Sequence, residues 1–150
     1  MKVRDICTRQ VVTMFDDGTV LDAARLMRAH HVGDVIVLRA PDESPIGIVT
    51  DRDIVVGAVA LGVSDLASIF VRDLITRDLV TVNDDDDVFT AMEIMWPHGV
   101  RRIPVLGADG RLSGILTYDD LVHRISEQLA DLTRTVKRQV EREKALRVGT

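Results

Sequence analysis

Apolar residues fall along this chain in two rhythms. Val20, Ala23, Ala24 and Met27, with Val32 just beyond, and later Val88, Met92 and Met95, recur every three or four residues. That spacing predicts two helices, each with one apolar face. Short apolar blocks predict strands at 11–14, 34–38 and 46–50, and again at 79–82, 103–106 and 112–117. Turn residues at 40–45 (Ala-Pro-Asp-Glu-Ser-Pro) and 107–110 (Gly-Ala-Asp-Gly) join the later strands of each set. A further helix opens at Asp51 or Arg52, and another at Asp119. Trp96-Pro97 is expected to end the second set's first helix early, because proline cannot continue it. The order β-α-β-β-α therefore occurs twice. The class is α+β, or α/β with one small sheet per unit.

The two sets are copies. At an offset of 68 residues, 16 of the 36 positions from 3 to 38 are identical to 71–106, where ordinary composition gives about two. Val3-Arg4-Asp5 falls on Val71-Arg72-Asp73, and Val20, Ala23, Met27 and His30 fall on Val88, Ala91, Met95 and His98. After a loop shorter by one, Gly47-Ile48-Val49-Thr50 meets Gly114-Ile115-Leu116-Thr117 and Asp53 meets Asp120. The reading is repeat one at 1–60, a linker at 61–70, repeat two at 71–126 and a C-terminal helical extension at 127–150. A unit of this size buries little surface by itself, so the halves are expected to pack together.

Composition narrows the picture. Hydrophobic residues make up 46% and aromatics 3%, so the core is aliphatic. A net charge of −5 argues against a general nucleic-acid binder. The single cysteine, Cys7, cannot pair within the chain, which fits a reducing, cytoplasmic setting. The longest uncharged apolar stretch, 54–63, is far short of the ~20 residues of a spanning helix. Residues 1–5 carry no apolar secretory run, so no secretory signal is expected.

Gly47-Ile48-Val49-Thr50-Asp51-Arg52-Asp53 and Val100-Arg101-Arg102-Ile103-Pro104-Val105 resemble the signature segments of cystathionine-β-synthase-type (CBS) domains. The glycine-apolar-apolar-Thr-x-x-Asp element occurs in both repeats, and the resemblance covers about residues 3–125. It implies a disc-like, pseudo-two-fold pair, called a Bateman module, with two clefts between the repeats. Such clefts hold adenosine ligands: AMP, ADP, ATP, NAD or S-adenosylmethionine. The modules sense and regulate and rarely do chemistry, so no enzyme and no catalytic cofactor is expected, with AMP or ATP as the foremost regulatory ligand.

The chemistry suits that role. Thr50 ends a strand and Asp53 lies in the next helix's first turn. A carboxylate there can accept both ribose hydroxyls, the threonine hydroxyl can bond sugar or phosphate, and the helix N-terminus favours an anion. Thr117 and Asp120 repeat the arrangement. The plain alternative is that both aspartates only cap helices. The resemblance further implies that Arg101 and Arg102 serve the cleft of Ile48, Thr50 and Asp53, where guanidinium groups suit phosphate. Their repeat-one equivalents are Gly33 and Asp34, and an aspartate there repels phosphate from the Thr117/Asp120 cleft. By the same symmetry Arg52 points to the second cleft and Asp119 to the first. Adenine walls are expected from Ile48 and from segments near Thr13, Thr19 and Ala23, or Thr81 and Ala91.

Other features read as structural. The run Asp84–Asp87 precedes a helix and is expected to cap it rather than hold a cation. His30 and His98 are helix-end residues, and no cysteine–histidine cluster points to a metal. Cys7 reads as a buried strand-edge thiol. From Asp119 to about Arg147 there is no glycine or proline, and Leu121, Ile125, Leu129, Leu132, Val136 and Val140 recur at three or four. From residue 131 onward six basic residues stand against three acidic ones. This predicts a long helix that joins a homodimer or docks on a partner. Two rivals to the sensor remain: an adaptor with vestigial clefts, and a nucleotide hydrolase or transferase, for which no activated nucleophile or glycine-rich phosphate loop is visible.

Overall fold

The structure, a computed structural model, describes residues 1–148. Residues 149 and 150, the end of the expected extension, lie outside the described residues. Each repeat forms a three-stranded mixed sheet. In repeat one the strands are β1 (Thr13–Phe15), β2 (Asp34–Arg39) and β3 (Ser44–Thr50), in that order, with α1 (Val20–His30) between the first two and α2 (Asp51–Ile54) after the third. Helix α2 continues as a π-helical turn over Val55–Val59. Repeat two follows the same plan with β4 (Val82–Asn83), α3 (Val88–His98), β5 (Arg102–Leu106), β6 (Leu112–Thr117) and α4 (Tyr118–Val148). The first pair of strands is parallel and the second antiparallel in both sheets. The register shifts at Val37/Leu38 and at Val105/Leu106, which are repeat-equivalent positions. The α+β class and the doubled β-α-β-β-α order are as the sequence reads.

Three local expectations need correction. The first strands begin two or three residues later than 11 and 79, because only Thr13–Phe15 and Val82–Asn83 find ladder partners; the residues before them carry the chain across from the other repeat. Proline does not shorten α3, which has 11 residues like α1. Pro97 sits next to the last helical position, and the turn beyond it is closed by Gly99 at φ 60°, whose N–H donates to the Met95 and Trp96 carbonyls. At the equivalent place in α1, His31 takes the left-handed conformation. Cys7 is half-buried and belongs to no strand.

The repeats exchange their opening segments. Val71 is fully buried in the core of repeat one, with Met14, Val20, Ala23, Val35, Val37 and Val49, and Leu66, Ile69, Leu74 and Ile75 pack on it. Its equivalent Val3 is fully buried in the core of repeat two, with Val82, Val88, Ile103, Val105 and Leu116. Backbone bonds fix both crossings: Val71 N–H donates to Gly18 (2.8 Å) and Val20 N–H to Ile69 (2.9 Å), while Val3 N–H donates to Asp86 and Arg4 N–H to Asp84 (2.9 Å each). The stretch expected as a linker, 61–70, is thus partly woven into repeat one. The signature glycines make room for this exchange. A Cβ at Gly47 would stand 2.6 Å from the Ile75 side chain, and one at Gly114 would stand 2.8 Å from the Thr8 carbonyl oxygen and 3.0 Å from Cys7 Sγ.

Three carboxylates of the Asp84–Asp87 run, those of Asp85, Asp86 and Asp87, are engaged locally. Asp87 caps α3 through Phe89 N–H (2.9 Å) and meets the N-terminal ammonium at 3.1 Å. Asp86 accepts from Asn83 N–H (2.9 Å), and Asp85 pairs with Arg4 (2.8 Å). His98 Nδ1 lies 2.8 Å from the Ile94 carbonyl oxygen, closing the end of α3.

Candidate functional site

Each Thr-x-x-Asp element forms a reciprocal cap at the start of a helix. Thr50 Oγ1 accepts Asp53 N–H at 3.1 Å, and Asp53 Oδ2 accepts the Thr50 N–H at 2.8 Å and the Thr50 hydroxyl at 2.9 Å. Thr117 and Asp120 repeat this at 3.1, 3.0 and 2.6 Å. Strand thus passes into helix within one residue, with the orphan N–H groups of the first turn satisfied. In both boxes the cap engages Oδ2 and leaves Oδ1 for another donor. All four residues are half-buried. A third box, Thr19–Asp22, has the same bonds but an exposed aspartate, so the box alone marks a helix start and not a site.

The second ingredient comes from the other repeat. Asp34 lies opposite Thr50 in the β2–β3 ladder, and Arg102 lies opposite Thr117 in the β5–β6 ladder. Directly opposed residues share a sheet face with Cβ atoms about 5 Å apart. Arg102 donates to the Asp34 carboxylate across the repeat boundary. Because 34 and 102 are equivalent under the 68-residue offset, this pair sits where the pseudo-two-fold brings equivalent positions together. Through Asp34, the guanidinium of repeat two is tied to the strand position opposite Thr50 of repeat one, while Arg102 itself stands opposite Thr117 of its own repeat. Burial raises the Asp34 carboxyl above its ordinary pKa, and Arg102 partly offsets that rise.

The remaining candidates separate. Arg101 is exposed and faces Asp119 of its own repeat at 3.8 Å; such an exposed pair contributes little to stability. Arg52 and Asp119 are exposed, at the start of α2 and α4. Ile48 is half-buried in β3, two residues before Thr50. Thr13 opens instead on a cavity of about 330 Å³ between the repeats, lined also by Leu38 of repeat one and by Arg111, Ser113 and Gly114 of repeat two, with Arg9 donating to Ser113 Oγ at 2.7 Å. Thr81 is half-buried just before β4. Cys7 is not an activated nucleophile, since desolvation by burial raises its thiol pKa. Among the described residues no three His, Cys, Asp or Glu side chains are placed to hold a metal ion. No helix of the described residues is long and apolar enough to cross a membrane.

Sequence reading missed the Arg102–Asp34 bond, although the signal was present: equivalent residues of opposite charge brought together beside a two-fold attract each other. It also missed the arginines of the Thr13 cavity, because Arg9 and Arg111 lie far apart in sequence and converge only through the exchanged segment.

The CBS domain family model matches residues 3–58 and 71–127. The protein MK0525 of Methanopyrus kandleri is 34% identical over 122 residues, covering 81% of this chain and 61% of its own length. The chain therefore spans less than two thirds of that relative. The CBS domain-containing protein YhcV of Bacillus subtilis is 32% identical over 129 residues, covering 85% of this chain and 89% of its own. The CBS domain protein PAE2072 from Pyrobaculum aerophilum, solved in complex with AMP, superposes with a TM-score of 0.72 at 27% identity, covering 81% of this chain and 90% of that one.

Proposed function

We propose a sensing and regulatory role for this chain, which belongs to the CBS-domain family and carries two such domains in tandem. The ligand is an adenosine compound (AMP, ADP, ATP, NAD or S-adenosylmethionine), with AMP or ATP first. The observation that carries this reading is the bond between Arg102 of repeat two and Asp34 of repeat one, the residue opposite Thr50 of the Thr50–Asp53 box. Asp53 Oδ1 accepts the ribose hydroxyls, Arg102 binds phosphate bidentately, and Ile48 offers an apolar wall. The Thr117/Asp120 cleft, where Asp34 disfavours phosphate, is left empty or takes a nucleoside or a different ligand. The AMP complex of PAE2072 supports AMP as the ligand to test first. Binding at a boundary between repeats regulates only by favouring one packing of the two over another. The chain does no chemistry of its own and works in the cytoplasm as a homodimer joined through α4.

A second reading is an adaptor with vestigial clefts. It is favoured by the neutralisation of Arg102 by Asp34 and by the engagement of Asp53 Oδ2 in capping. A thermal-shift titration separates the two. A ligand at 100 times its dissociation constant stabilises the fold by about 2.7 kcal/mol, whereas the adaptor shows no shift with any of the five compounds.

A further inference from the structure

The surface of repeat two between α3 and the start of α4 carries three of the chain's five aromatic residues. Phe89 is 68% exposed, Trp96 87% and Tyr118 50%. With Met92 and Leu121 they line a cleft of about 830 Å³. Their equivalents in repeat one are Leu21, Arg28 and Asp51, so the aromatic surface belongs to one repeat only. The apolar surface continues along α4 through Val122, Leu129, Leu132, Val136 and Val140, all exposed. Helix α4 has 31 residues and so reaches about 46 Å. Its opposite flank, at Arg124, Gln128 and Asp131, borders Met1 and Asp5, so the stripe faces away from the chain's own body. A contiguous apolar surface of this kind marks an interaction face.

The charge distribution selects the occupant. In 118–132, Asp119, Asp120, Glu127 and Asp131 stand against Arg124, a net charge of −3. In 133–148, six Lys and Arg stand against Glu141 and Glu143, a net charge of +4. Residues 1–117 carry a net charge of −6. A parallel pair of such helices sets basic half against basic half. An antiparallel pair sets each basic half on the acidic half and acidic body of its partner. Ser126, Thr133 and Thr135 flank the stripe and are uncharged, so they oppose neither register.

We infer that α4 pairs antiparallel with α4 of a second copy, and that the C-terminal half of each helix seats in the aromatic cleft of the other. Leu129 then faces Leu132 of the partner subunit, Ile125 faces Val136 of the partner subunit, and Val122 faces Gln139 of the partner subunit. The partner helix's final turns lie over Tyr118 and Trp96. This geometry rests on the homodimer reading and adds its direction and its seat.

The test uses the full chain. Light scattering on the unmodified protein is expected to give twice the chain mass. In a Cys7→Ser background, Val122→Cys and Gln139→Cys chains are oxidised separately and as a mixture. Disulfide-linked dimer is expected in the mixture and not from either chain alone. Efficient linkage of each chain with itself means a parallel pair and overturns the inference. A dimeric mass with no linkage in any sample places the interface elsewhere and also overturns it. A monomeric mass removes the homodimer reading itself. As an independent readout on the full chain, the single tryptophan is expected to emit at longer wavelength when Val136→Asp and Val140→Asp are introduced together; unchanged emission overturns the seating in the cleft.

Discussion

Val71→Ala puts the exchange of opening segments to a quantitative test. By sequence this residue opens repeat two, but its side chain is fully buried in the core of repeat one. The substitution removes two methyl groups, worth about 1.6 kcal/mol in lost transfer. The void left among Val20, Ala23, Val35 and Val49 adds about 1 kcal/mol if the neighbours relax little. The expected loss is therefore about 2–3 kcal/mol in urea denaturation followed by circular dichroism, with an unchanged denaturant slope. Location is the sharper readout. Backbone amide shifts in a ¹H–¹⁵N spectrum should move most at Val20, Ala23 and Val35, and little at Val88, Ile103 and Val105. The mirror substitution Val3→Ala should show the reverse pattern. A loss below about 0.5 kcal/mol, within the range of ordinary surface changes, or shifts centred on repeat two, would refute the exchange.

Further expectations follow from the same packing and electrostatics. Gly114→Ala forces a Cβ against the Thr8 backbone and should cost about 1–3 kcal/mol, more than Gly47→Ala, where the opposing atoms belong to the Ile75 side chain; thermal melts of both variants decide the order. Asp34→Asn removes the carboxylate from Arg102 and should tighten AMP binding about tenfold by calorimetry, the scale of one charge-assisted hydrogen bond; unchanged or weaker binding means Arg102 does not meet phosphate. Asp34 also has a distinct pH signature. Its carboxyl is raised in the fold by burial, so the folded state binds the proton more tightly, and this group's contribution to stability falls as pH rises from the ordinary carboxylate range through its folded value. Asp22 and Asp87 have the opposite sign. The Thr19 hydroxyl holds Asp22 below its ordinary pKa, and the Phe89 N–H, helped by the N-terminal ammonium, does so for Asp87. Their stabilisation is complete above the ordinary aspartate value and is lost as pH falls through their folded values, so acid titration of Asp22→Ala and Asp87→Ala should show a flatter acid limb than the parent chain.

What the sequence made legible was whatever repeats with a local period. The two helices, the later strand pairs and the threonine–aspartate boxes follow from spacing and capping chemistry, and the duplication exposed them twice. The destination of the opening segments was not legible. Val3 and Val71 are apolar under any arrangement, and nothing in their neighbours states which repeat they fill. The Pro97 expectation failed because the cost of proline depends on position, and near a helix's end few backbone bonds remain to be lost. At the candidate site, Thr50, Asp53 and Arg102 were readable through the signature segments. Whether Arg102 stands free or bonded was not, since that depends on which residue the two-fold sets opposite it.

The central claim is tested most directly by titrating AMP calorimetrically into three proteins: the unmodified chain, Asp53→Asn and Asp22→Asn. An asparagine at either position can still accept the capping N–H, so each helix start survives while the negative charge is removed. The account predicts saturable binding to the unmodified chain, a loss of about 10–100-fold for Asp53→Asn, the scale of hydrogen bonds to a charged group, and no change for Asp22→Asn. Equal affinity in all three, or no binding to the unmodified chain, would contradict it.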